Sequence, residues 1–112
     1  MSFAIDRTLG VHAQAIGLHI RRSEILAANL ANESTPGFKA RDLDFAAEMR
    51  RSAQVSDSRL MYRVPTQPAQ DGNTVEASVE QAAFAKASQD YQASLTFLNQ
   101  KLRGLKQAIE GR

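Results

Sequence analysis

A helix cannot run through Thr35-Pro36-Gly37-Phe38, and this one interruption divides the chain into two long helical patterns with a connector between them. Pro36 presets φ for the second position of a tight turn, and Gly37 supplies the positive φ that a type II turn needs at its third. Thr35 precedes proline and is pushed toward extended geometry. Upstream, Asn29 and Asn32 have short amide side chains able to satisfy the backbone groups that a helix end leaves open. The run from Ala28 to Phe38 therefore reads as a helix stop followed by a fixed change of direction.

Before the stop, Ile5, Leu9, Ile16, Leu26 and Leu30 recur at helical spacing and share one face. Val11, Leu18 and Ile25 repeat every seven residues and, at about 100° per residue, fall on nearly the opposite side. Two apolar faces exceed what a single partner helix covers. In so small a chain, cover for Val11, Leu18 and Ile25 is expected from another subunit.

After the connector, Phe84, Tyr91, Leu95, Leu98, Leu102, Leu105 and Ile109 follow one another at steps of seven, four and three. This is a narrow stripe of coiled-coil type. Phe84 to Ile109 spans about 39 Å at 1.5 Å per residue. Asn73 with Glu76, or Ser78 with Gln81, could cap the start of this helix. Glu76, Glu80 and Asp90 lie early and Lys101, Arg103 and Lys106 late, which suits the helix dipole. Gly111 ends the run.

The expected fold is all-α. An amino-terminal helix (1–33) and a carboxy-terminal helix (74–112) pack as a coiled-coil-like pair within one domain, joined by an irregular connector (34–73). Within the connector, Asp42 or Asp44 caps a short helix that buries Phe45 and Met49. Ser52 to Arg59 is polar and patternless and reads as a mobile loop. Tyr62 to Gln70, with Pro65 and Pro68, reads as an extended segment.

The composition excludes more than it identifies. The chain has 112 residues, no cysteine and a net charge of +2 with acids and bases interspersed, so neither a thiolate metal site nor a nucleic-acid footprint emerges. No apolar run reaches transmembrane length, which argues against membrane insertion. Asp6 and Arg7 interrupt the start, so no cleaved signal peptide is expected. His12 and His19, seven apart on a helix, are separated by about 10 Å, whereas metal pairs on one helix sit three or four residues apart. They read as seam or surface residues, and no metal or cofactor is expected. No Gly-x-Ser-x-Gly elbow, phosphate-cradling glycine loop or acid/base cluster points to an enzyme. Arg21-Arg22 and Arg50-Arg51 have Glu24 and Glu48 beside them and read as solvated faces with local ion pairs.

The run Ala28-Asn-Leu-Ala-Asn-Glu-Ser-Thr-Pro-Gly-Phe38 resembles the signature of the axial proteins of the bacterial flagellum, matching every position of Ala-Asn-x-x-Asn-x-x-Thr-Pro-Gly-aromatic. Ala40-Arg-Asp-Leu-Asp-Phe-Ala46, Tyr62-Arg-Val-Pro-Thr-Gln-Pro and Asp71-Gly-Asn-Thr-Val75 narrow the resemblance to the flagellar basal-body rod proteins, closest to those of proximal rod type B. The segment between Met49 and Leu60 is shorter than that family usually carries. The resemblance implies a structural subunit of the proximal rod, stacked helically into the hollow periplasmic drive shaft, with its carboxy-terminal helix nearer the lumen. It also implies partners: copies of itself, other flagellar rod proteins and the MS-ring/rod junction proteins. Delivery would be by the type III flagellar export apparatus, without a cleaved signal. Helices marginal in isolation would then lock on assembly. The alternative from another class is a soluble coiled-coil adaptor or export chaperone, which would form discrete low-order complexes.

Overall fold

Apolar residues recurring every three or four positions give a helix a face to bury, and the two stretches that do so dominate the architecture. The computed structural model describes residues 3–51, 59–63 and 71–111. Helix α1 covers Phe3–Ala31, strand β1 Arg41–Asp42, helix α2 Phe45–Arg51, strand β2 Met61–Tyr62 and helix α3 Ala77–Glu110. With helices of 29 and 34 residues, the protein is elongated, 64 × 23 × 18 Å.

The long helices run antiparallel in a single register. Asn29 of α1 hydrogen-bonds Glu80 of α3, and the His12 ring lies 4.9 Å from that of Phe97. Asn29 and His12 are seventeen positions apart, as are Phe97 and Glu80, so the two helices stay in step over about 25 Å. Ala87 of α3 is completely buried, as is Leu26 of α1. A small side chain at such a seam lets two helices approach closely.

The ends of the elements follow local chemistry. Gly111 adopts φ 70° and donates its N–H to the Gln107 carbonyl, closing α3. The carbonyl and carboxylate of Asp44 accept the N–H groups of Glu48 and Ala47, so Asp44 caps α2. The extended part of the connector pairs antiparallel, Arg41 with Tyr62 and Asp42 with Met61. Residues 52–58 of the expected loop and 64–70 of the expected extended segment lie outside the described residues.

One expectation is overturned. Leu18 and Ile25, 2% and 7% exposed, need no second subunit. Leu43 completes their cluster, and Phe45 and Met49 of α2 pack against it. The connector folds back along the second apolar face of α1 and covers it within the chain. The helical period shows that a face needs cover, but not which segment supplies it. Val11, about two turns before Leu18, remains 46% exposed.

Candidate functional site: the joint and the uncovered stripe

The turn that ends α1 is closed by the Phe38 N–H donating to the Thr35 carbonyl at 3.2 Å, with Gly37 at φ 75°. Asn32 donates its amide to the Ala28 carbonyl at 2.8 Å and accepts from the Thr35 hydroxyl at 3.1 Å. Pro36 is exposed, and Phe38 is half-buried beneath the Arg41 guanidinium, 6.0 Å from the ring centre.

The start of α3 is stapled to this turn by Asn73. Its buried amide donates to the carbonyls of Asn32, Glu33 and Thr35 at 2.9, 3.2 and 2.6 Å, satisfying acceptors that the end of α1 leaves open. Its carbonyl oxygen accepts the Val75 N–H. The Gly37 N–H donates to the Asp71 carbonyl, and the Thr74 N–H to the Phe38 carbonyl. Neither expected capping pair forms. Glu76 is the N-cap residue of α3 and makes no side-chain cap bond, because Asn73 is turned toward α1 instead.

Beneath the turn lies a buried ion network. Asn29, 1% exposed, reads both backbone groups of Arg41: its oxygen accepts the N–H at 3.0 Å and its amide donates to the carbonyl at 2.6 Å. The same amide donates to Glu80 at 2.9 Å. Glu80 is fully buried, so its second oxygen needs a cation, and Arg63 supplies its Nε and Nη2 to the carboxylate. Arg63 Nη2 also donates to Asp42 at 3.0 Å, and Asp42 takes a bidentate pair from Arg22 at 3.0 and 3.1 Å. Arg22, Asp42, Arg63 and Glu80 alternate in sign and sum to zero. The bond to Asp42 raises the Arg22 guanidinium above its ordinary value, against the opposing effect of burial. One network thus ties α1, the β1–β2 ribbon and α3 at the joint.

Two sequence readings change here. Glu80 is no dipole-compensating surface charge, and Arg22 is no solvated one. Glu48 is likewise buried, accepting from Arg51 at 2.6 Å and from the Arg59 backbone N–H at 2.8 Å. Only Arg21–Glu24, at 3.7 Å, is the exposed local pair that was expected. A signal was available: Glu80 stands four residues before Phe84, in phase with the apolar stripe. Arg22 and Asn29 likewise fall in phase with Leu18 and Ile25. His19 is buried and stacks on Phe45 at 4.3 Å, while His12 lies in the helix seam. Among the described residues no three His, Asp or Glu side chains converge as a metal site. No helix among them is long and apolar enough to cross a membrane.

Among the described residues, no helix or strand other than α1 packs on α3. Leu9, Ile16, Leu30, Phe84, Tyr91, Leu98 and Leu105 are half-buried. Leu95, Leu102 and Ile109 are exposed, as are Phe97, Val11 and Ile20. The side chain of Ile5 lies outside the described residues. Leu95, Leu102 and Ile109, seven residues apart, thus form an exposed apolar line along α3 beside the half-buried Leu98 and Leu105.

Curated relatives that this chain resembles over nearly its whole length carry the name flagellar basal body rod protein FlgB. The protein from Cereibacter sphaeroides is 42% identical over 92% of this chain and 94% of its own length. That from Salmonella typhimurium is 38% identical over 96% of both, and that from Escherichia coli 34% over 95% of both. The chain belongs to the FlgB family of flagellar basal body rod proteins. No protein-family profile matches it. The alignment with the Escherichia coli FlgB protein runs over 131 positions against a chain of 112, so that relative carries additional residues. Membership of the FlgB family makes this chain a structural rod subunit of the basal body, and the FlgB name favours neither adaptor nor chaperone.

Proposed function

We propose that this FlgB-family chain builds the proximal part of the rod, with subunits arranged helically around a hollow shaft in the periplasm. The observation that carries this reading is the uncovered stripe Leu95, Leu102 and Ile109 on a helical pair that is fully packed only at its joint. Each large apolar side chain buried at such a contact contributes about 1.5–3 kcal/mol, so several per subunit stiffen an assembly. The contacts are heterologous and open-ended, as a shaft requires. Copies of the chain, other rod proteins and the junction with the MS ring are its neighbours.

The role is structural, with no catalysis assigned. Subunits reach the growing tip through the flagellar export apparatus, and the uncovered half of the helical pair orders fully on assembly. The joint, held by its own ion network, fixes the direction in which the pair leaves the connector.

Deletion of the gene in its host tests this reading. Loss of motility and of every structure distal to the MS ring, both restored by the wild-type gene, is the expected result. A deletion strain that still builds rods sinks the proposal.

A further inference from the structure

Beside the joint, a cleft of about 140 Å³ opens between α1 and the connector. That is roughly the size of a cavity that takes one benzene-sized apolar group. Ile25, Ala28, Phe38 and Leu60 give it apolar walls, and two arginines, Arg21 and Arg41, stand at it with one acid, Glu24. Arg21 Nε is buried without a hydrogen-bond partner. Such a donor carries a desolvation cost that an incoming acceptor would remove. The neighbouring Glu24 does not serve it: it approaches a different nitrogen, at 3.7 Å, and is itself well exposed. The Arg41 guanidinium lies over Phe38 and has no ion-pair partner among the described residues. Arginine beside an aromatic and a concave apolar floor is the usual make-up of an interface hot spot.

From this, and resting on the rod reading above, we infer that the cleft is a docking site for a different protein of the rod: a helix that presents an aliphatic side chain next to a carboxylate. The aliphatic group fills the apolar floor, and the carboxylate accepts from Arg21 and Arg41. Charge argues against a second copy supplying its own helix end. The last turns of α3 carry Lys101, Arg103 and Lys106 against a single acid, Glu110, and Arg112 follows. That end is basic and is repelled by two arginines.

The test uses the full chain in a host strain deleted for the gene. A photo-crosslinking residue replaces Leu60, which lines the cleft and takes no part in the ion network. The expected crosslink joins the chain to another flagellar protein, at a peptide holding an aliphatic residue beside Asp or Glu. Arg21→Glu should abolish that crosslink and motility while leaving circular dichroism of the purified chain unchanged. Arg21→Lys, which keeps charge but not the guanidinium donors, should retain part of both. A crosslink to a second copy of the chain, or wild-type swimming by Arg21→Glu, overturns the inference. Failure of the wild-type gene to restore motility would instead overturn the rod reading, so the two failures are distinguishable.

Discussion

Asn29 and Glu80 stand fifty-one residues apart in the chain and share a buried hydrogen bond of 2.9 Å. That bond joins the signature run at the end of α1 to the first turn of α3, and it works only because Arg63 holds the other side of the carboxylate. The invariable demand of a buried charge is a partner, and here three elements converge to provide one.

Breaking this network on one side should cost more than removing it altogether. Glu80→Ala takes from Arg63 one of its two carboxylates and should lower stability by on the order of 3 kcal/mol, the low end for a broken buried pair because Arg63 keeps Asp42 and some exposure. Replacing both partners, Glu80→Leu with Arg63→Met, should recover most of that loss. Urea denaturation of Glu80→Leu, Arg63→Met and the double supplies the cycle. Additive losses would show that the two residues are not coupled.

Two glycines should respond to alanine with opposite sign. Gly37 sits at φ 75° with open space around it, so Gly37→Ala costs only the backbone strain, about 1–2 kcal/mol. Gly104 lies inside α3 with nothing near, and Gly104→Ala should stabilise by roughly 0.5–1 kcal/mol. Thermal midpoints of the purified variants provide the comparison. A neutral Gly37→Ala would mean that the turn is not held at positive φ in solution.

His19 should make stability depend on pH. Burial against Phe45 lowers its pKa below 6.5; Asp90 pulls the other way, while Arg22 and Lys86 reinforce burial. The unfolded chain therefore binds the proton at a higher pH than the folded one. Stability from this group is fully present above about pH 6.5 and is lost progressively as pH falls below it. Denaturation midpoints at neutral pH and about one unit below the reference value test this. His19→Leu should reduce the loss, and an unchanged pH slope in that variant would remove His19 as its cause.

The sequence carried the outline of this molecule in its local chemistry. Thr35 to Phe38 names its own turn, Asp44 its own helix cap, and the spacing of Phe84 to Ile109 its own helix. What it did not carry is the path of the connector. Leu43, Phe45 and Met49 cover Leu18 and Ile25 because the chain folds back there, and no periodicity in 34–73 encodes that return. Arg63 was illegible for the same reason, lying outside any repeating pattern. Glu80 and Arg22 were in view, since a charge in phase with an apolar stripe asks for a buried partner. Asn73 looked like a cap because Asx side chains usually act locally. Here its amide reaches the carbonyls at the end of α1, about forty residues away in sequence.

On the rod proposal, subunits meet at the stripe left uncovered on α3. Leu102 is 43% exposed and remote from the joint, so its replacement separates assembly from folding. Leu102→Asp in the complemented deletion strain, examined by electron microscopy of purified basal bodies, is the most direct measurement. The expected result is a purified monomer whose stability changes by no more than about 0.5 kcal/mol, as for an ordinary surface substitution, together with basal bodies that stop at the MS ring. Complete rods and normal swimming in that strain would contradict it.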